Sequence, residues 1–492
     1  MVSVRNDFEV TEHKSFWRTE IANRARIIID GADYFEILRK AMLRAKKRII
    51  LIGWDFDTRI SLSKDEHEKG EPPVRLGEFI EWLANNRPDL EIKILKWQTS
   101  AIKLLGRGST IITVAKWAIH DQIEFKLDNA HPAGCSHHQK IVVIDDNFAV
   151  CGGIDMTTDR WDTREHVGQD ERRKRPNGSQ YHPWHDVTMI VDGEAASALG
   201  DLARSRWSTA GGETLKPLNT DNDPWPEDIE PQFENVNIKI ARTRAKYGEV
   251  DQIQEIEALF LEQIRGAQKF IYIENQYFTS RKIADAIALR LEEDDPPEIV
   301  LVMPATADGW LEHITMDSAR AKMISAIRQK QNAHRFAVFT PVNEVGEDIY
   351  VHAKIMIIDD QIVRVGSANM NNRSLGLDSE CDLVIDSRED GNQMAGSEIF
   401  KLRVSLIAEH CGTTERMTEK AMAAGQPMID FIESRSASKR KLVRFEIPDL
   451  DMTEELLADN KLLDPERPEE FFEPFADREL VGKVARRSKP SD

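Results

Sequence analysis

Residues 137–161 read HHQKIVVIDDNFAVCGGIDMTTDRW, and residues 351–375 read VHAKIMIIDDQIVRVGSANMNNRSL. The two stretches align without a gap at an offset of 214 residues. His138, Lys140, Asp145, Gly152 and Asp155 fall on His352, Lys354, Asp359, Gly366 and Asn369. In each, an apolar, β-branched run after the lysine ends in Asp-Asp, which reads as a strand closed by a turn. A block repeated at one spacing means a duplicated structural unit.

The repeat extends upstream. Residues 31–56, GADYFEILRKAMLRAKKRIILIGWDF, put Phe35, Leu38, Met42 and Ala45 at helical spacing before the apolar run Ile49 to Ile52. Residues 249–278 follow the same plan, with Ile256, Leu259, Phe260 and Ile264 before Ile271 to Ile273. Further strands follow at LEIKILKW (90–97) and EIVLVMP (298–304). Alternating helix and strand patterns in both halves predict an α/β fold built from two similar halves. The expected boundaries are a first half over 1–208, a linker over 209–240, a second half over 241–430 and a tail over 431–492. The linker is assigned by composition: Pro217, Pro224, Pro226 and Pro231 among many Asp and Asn. The tail opens on a basic patch at Lys439, Arg440 and Lys441 and turns acidic and Pro-rich.

Composition narrows the function classes. The 492 residues are 41% apolar and 31% charged, with a formal net charge of −19. Such a chain buries a large core and is neither fibrous nor disordered. The acidic balance opposes coating of nucleic acid, which needs a basic footprint. Cys135, Cys151, Cys381 and Cys411 are too scattered for a disulfide framework or a zinc ribbon, so reduced thiols in a cytoplasmic protein are expected. The first twenty residues carry charges throughout and no apolar signal region. The most apolar run, Ile49 to Trp54, is far short of the ~20 residues a membrane helix needs. A protein with these features that acts on lipid is expected to be peripheral to the membrane.

His-x-Lys places two side chains on one face of a strand, so His138 pairs with Lys140 and His352 with Lys354. Asp145 and Asp359 lie seven positions after the histidine, an odd offset that turns them away and puts them at the turn. They are assigned a structural role. One such motif arises by chance in a chain this long with a probability on the order of 0.05, and two with roughly 0.002. The alternative is a pair of core histidines on duplicated strands.

The duplicated motif resembles that of the phospholipase D superfamily. The resemblance covers most of residues 8–430 and is nearest the phosphatidylcholine-hydrolysing enzymes, including the eukaryotic type. The residues that carry it are HHQKIVVIDDNFAVCGGID with RWD, IYIENQYF, PWHDV (183–187), IYVHAKIMIIDD, VGSANMNNRS and DSECDLVI (378–385). It implies two halves with mixed sheets, related by a pseudo-twofold axis, whose His-Lys pairs meet in one cleft. One imidazole attacks phosphorus to form a phosphohistidine. The other protonates the leaving alcohol and then activates water or a primary alcohol. Family usage makes His138 the nucleophile and His352 the acid and base; the spacing itself does not rank them. Lys140 and Lys354 hold the phosphoryl oxygens. By position, Asp186 and Glu380 match the carboxylates that orient the imidazoles; surface salt bridges are the alternative for both. Asn369 matches a phosphate-contacting Asn. Asp155 stands at the equivalent first-half position, where a carboxylate repels phosphate, and it is given no such role. Gly153 and Ser367 are read as allowing close backbone approach.

The resemblance implies hydrolysis of the distal phosphodiester of a glycerophospholipid at a membrane surface, with phosphatidyl transfer to alcohols, by a monomer that needs no cofactor and no metal. A phosphatidyltransferase of the cardiolipin synthase type, or a nuclease of the superfamily, is the alternative. Two weaker signals remain. The run at 171–176, ERRKRP, is a solvated loop or a contact for anionic headgroups. DGWLEHI (308–314) puts Trp310 on an expected loop, either as an interfacial anchor or as ordinary packing.

Overall fold

Each motif block becomes a β-hairpin with a three-residue connection, 145–147 or 359–361, in the computed structural model, which describes residues 14–64, 70–98, 108–306, 310–447 and 464, with backbone alone at 108–109 and 310–315. Ile141–Ile144 pairs antiparallel with Phe148–Gly152, and Ile355–Ile358 with Ile362–Gly366. The first two residues of each connection are left-handed: Asp145 and Asp146 at φ 54° and 57°, Asp359 and Asp360 at 55° and 55°. Two left-handed residues make the turn that matches strand twist, and Asp tolerates this conformation because its short side chain bonds locally. Asp145 accepts the backbone N–H groups of Lys46, Lys47 and Arg48, each at 2.7 Å. Asp359 accepts those of Gln268, Lys269 and Phe270 at 2.7, 2.7 and 2.9 Å. Both motif aspartates therefore fasten the hairpin turn to the loop that feeds the neighbouring strand.

One mixed sheet spans both halves. At its centre Arg18–Ile29 pairs antiparallel with Phe233–Arg244. Outward from Arg18–Ile29 come Val187–Asp192, the first hairpin, then the parallel strands Arg48–Gly53, Glu91–Trp97 and Ile123–Asp128. Outward from Phe233–Arg244 come Glu380–Asp386, the second hairpin, Phe270–Glu274, Glu298–Val302 and Phe336–Val342, in the same order by repeat. Alternate residues face opposite sides. Val143, Cys151, Met189, Ile355, Val365 and Cys381 belong to one core shared by both halves. Their strand neighbours Val142, Val150 and Ile190, and Met356, Ile358 and Val384, enter two separate cores under helices such as Gly31–Arg44 and Glu255–Gly266. Strands buried on both faces explain the unbroken apolar runs in the sequence.

Three boundaries differ from the sequence reading. The expected linker, 209–240, is irregular only to 232; Phe233–Arg244 is a central strand. Before it, the segment straps over the first hairpin turn, where Asn222 donates to Asp145 at 2.6 Å and Trp225 meets Phe148 edge-on at 5.9 Å. The expected tail begins inside the helix Met428–Glu433 and adds an edge strand, Lys441–Arg444; apart from Asp464, residues beyond 447 lie outside the described residues. Trp310 opens a helix, Trp310–Ile327, rather than standing on a loop, and its side chain and residues 307–309 are outside the described set. In the ERRKRP run, Arg173 is buried and bonded to Asp162 at 3.0 Å, while Arg172 and Arg175 bind Asp170 and Asp159. Most of that positive charge is spent inside the loop. The four cysteines are buried and none is in a disulfide. No helix among the described residues is long and apolar enough to cross a membrane.

Candidate active site

The strand after each motif starts at Ile141 and Ile355, later than the His-x-Lys segment. The backbone before it pairs with the other half instead. His138 N–H donates to Ser379 O at 3.0 Å, and His352 N–H donates to His185 O at 2.8 Å. The residues that follow those two carbonyls are Glu380 and Asp186. The crossing therefore sets each imidazole against a carboxylate of the opposite half: His138 Nδ1 lies 3.0 and 3.1 Å from the Glu380 oxygens, and His352 Nδ1 lies 2.7 Å from Asp186 Oδ2. A carboxylate that accepts the Nδ1 proton fixes the tautomer and leaves Nε2 as the reactive nitrogen.

Gly153 and Ser367, equivalent in the repeat, serve the two carboxylates differently. A Cβ at Gly153 would stand 2.0 Å from Asp186 Oδ1, so only glycine admits that carboxylate. Ser367 donates its hydroxyl to Glu380, as does Ser374 at 2.7 Å. Ser367 thus bonds a carboxylate directly, beyond the backbone role read from sequence.

Both histidines open on one cavity of about 620 Å³, also lined by Trp54, Trp97, Arg160, Trp184, Asp155 and Asn369. Lys140 Nζ donates to His138 O at 2.9 Å and lies 3.3 Å from Asp155. Lys354 Nζ donates to His352 O and lies 3.3 Å from Gln276 Oε1. Asp155 also accepts the Trp54 N–H at 2.9 Å, so its charge is held by protein groups. Asn369 is buried and its Oδ1 has no hydrogen-bond partner.

Burial, then the two lysines, holds His138 well below its usual range. Burial, then Lys354 and Arg160, does the same to His352. Burial pulls Lys354 down to about 7 and pushes Glu380 up to about 8 against the opposing pull of Lys140. The cavity thus presents two unprotonated imidazoles beside lysine charge, an arrangement suited to receiving an anion. Sequence reasoning assigned no role to Arg160, Trp184 or Gln276. Arg160 lies over the Trp184 ring at 4.0 Å, and that ring centroid is 5.1 Å from the His352 ring. Their only sequence signal is membership of the RWD, PWHDV and IENQYF strings.

A duplicated half that brings two imidazole–carboxylate pairs and two lysines to one cleft defines the class of site. The profile described as Phospholipase D matches residues 41–286, half of the chain, and that described as Cardiolipin synthase, PLD-like domain matches 260–397. The chain belongs to the phospholipase D family. It is 27% identical to Phospholipase D1 of Saccharomyces cerevisiae over 80% of this chain and 29% of that one. It is 25% identical to Phospholipase D A of Dictyostelium discoideum, over 79% and 35%, and 23% identical to Phospholipase D alpha 1 of Vigna unguiculata, over 77% and 64%. The chain therefore spans about a third of the first two relatives and under two thirds of the third. Phosphatidylserine synthase of Haemophilus influenzae Rd KW20 shares the fold: TM-score 0.53 at 13% identity, covering 93% of this chain and 94% of that one.

Proposed function

We propose that this chain is a phospholipase D that cleaves the distal phosphodiester of glycerophospholipids, leaving phosphatidate and a free headgroup alcohol. The observation that carries this reading is the cross-half pairing of His138 with Glu380 and His352 with Asp186 on one cavity. His138 Nε2 attacks phosphorus, and the bond to the headgroup oxygen breaks as His352 protonates it. His352 then takes a proton from water or a primary alcohol, whose oxygen displaces His138 from phosphorus. Lys140, Lys354 and Asn369 hold the non-bridging oxygens, and the phosphodiester's own negative charge offsets the lysines enough for His352 to carry its proton. Asp186 and Glu380 hold the imidazoles; Asp145 and Asp359 hold the hairpins. The protein meets lipid from the aqueous side as a monomer.

Transfer to an alcohol, to which the name of the second profile points, is the second half of the same cycle. The test is incubation with vesicles of phosphatidylcholine or phosphatidylglycerol, or with single-stranded DNA, each in the presence of ethanol. Phosphatidylethanol from a lipid arm is expected. DNA cleavage with no phosphatidylethanol would contradict the reading and favour the nuclease.

A further inference from the structure

Against Asp186, four buried side chains converge: Asp30, His166 and His185 from the first half and Glu409 from the second. None of them lines the 620 Å³ cavity. His185 Nδ1 lies 3.0 Å from Asp30 Oδ1 and 3.2 Å from Glu409 Oε1. His166 Nε2 lies 3.1 Å from Glu409 Oε1 and 3.5 Å from Asp30 Oδ2. Ligand atoms at zinc bond lengths in a tetrahedron stand about 3.3 to 3.5 Å apart; these four histidine–carboxylate separations are near that, and all four ligand atoms lie within 4.8 Å of one another.

The outer nitrogens carry the argument further. His166 Nδ1 is 3.0 Å from Asp162 Oδ2, and His185 Nε2 is 2.7 Å from Glu274 Oε2. A histidine that gives its N–H to such a carboxylate turns a lone pair toward the centre, which is how metal-bound imidazoles are oriented. With neutral rings both lone pairs would face carboxylate oxygens in a site closed to solvent; without an ion, and against burial, the surrounding carboxylates draw both imidazoles toward the protonated form. His185 Nδ1 and Asp30 Oδ2 are buried there without a hydrogen-bond partner. A divalent ion at the centre resolves that conflict and balances the two acidic ligands. Two imidazoles with two carboxylates suit zinc; calcium and magnesium favour all-oxygen shells.

We propose that Asp30, His166, His185 and Glu409 bind one zinc-class divalent ion whose role is structural. The ion joins the halves and fixes the approach to Asp186, whose N–H donates to Asp30 Oδ1 at 3.1 Å. His185 O also receives the His352 N–H, so one residue links the metal set to the second motif. Four protein ligands leave no open position for chemistry, and the proposal is independent of which diester the cavity accepts. No spacing motif marks the set, because its members stand at 30, 166, 185 and 409.

Elemental analysis of the purified full chain, grown in zinc-supplemented medium and washed briefly with EDTA, tests it. About one zinc per chain is expected, falling below about a tenth in Asp30→Asn and Glu409→Gln. Refolding in cobalt(II) should give the intense visible absorption of a tetrahedral site. Should the variants fail to fold, the unsubstituted chain still decides. If it regains its full melting temperature after refolding in chelator, with under about a tenth of an equivalent of any transition metal, the proposal is overturned. The cluster is then a proton-sharing network of imidazolium and carboxylate.

Discussion

His138 and His352 occupy equivalent places in the repeat, yet the His138 side chain keeps 16% of its surface exposed against 6% for His352. His138 meets a Glu that two serine hydroxyls hold; His352 meets an Asp that a glycine admits. Lys140 has Asp155 beside it, whereas Lys354 has the neutral Gln276. The duplication has kept the backbone frame, including the crossing that pairs each imidazole with the opposite half, and has varied what the frame carries. The longer carboxylate comes with a hydrogen-bonding partner and the shorter one with a missing side chain. The more open imidazole suits attack on phosphorus, and the one under the Trp184 ring suits proton transfer to a leaving group.

Removing the imidazole partners should have the largest effect. Asp186→Asn and Glu380→Gln should each lower turnover by about 10³- to 10⁴-fold, the scale seen when an imidazole loses its orienting carboxylate. Asp145→Asn should cost stability, about 1–3 kcal/mol for its lost backbone acceptance, with turnover per folded molecule within about tenfold. Rates normalised to the folded fraction from thermal melts separate the two; a well-folded but inactive Asp145→Asn protein would break the assignment. Next in size is the glycine–serine difference. Gly153→Ala forces Asp186 aside and should lower turnover about 10²-fold, while Ser367→Ala leaves Ser374 on Glu380 and should stay within about tenfold. Equal losses would mean that the two carboxylates are held alike, and the reverse order would contradict the account.

The smallest effect concerns Lys354. With its amine drawn down to about 7 by burial, it loses charge as pH rises through neutrality in the substrate-free protein. For an anionic diester, kcat/KM should therefore fall about fivefold from pH 7 to 8, because that ratio reports the free protein. The kcat profile should lack this limb, since bound phosphate keeps Lys354 charged. Lys354→Arg, whose charge does not titrate, should lose the limb at some cost in rate; a limb that survives in that variant belongs to another group.

The repeat, the alternating α/β plan and the turn positions of Asp145 and Asp359 were legible because they depend on local spacing. Asp186 and Glu380 were legible as matches to a family pattern, but their crossing was not. Strand parity says which residues share a face and nothing about which half supplies the neighbour. The late start of both motif strands has the same origin, for Ser379 and His185 capture the histidine backbone from outside the hairpin. The linker boundary failed at Phe233 because Pro217 to Pro231 dominated the composition, although Val236, Ile238 and Ile240 already alternate as a strand does. Burial of Arg173 inside a basic run was hidden because its partner Asp162 looks like any other acid in an acidic chain.

The central claim is that a near-symmetric frame holds two imidazoles with unequal tasks, His138 to attack and His352 to carry protons. A p-nitrophenyl phosphodiester needs little help with its leaving group, so it bypasses the first demand on His352 and leaves the demand on His138 intact. Intact-mass spectrometry after acid-free quenching, followed by peptide mapping, reads the outcome. His352→Ala should accumulate a phosphoenzyme on His138 that hydrolyses slowly, and His138→Ala should form no adduct. An adduct on His352 in the His138→Ala protein, with none in the converse variant, would contradict the account.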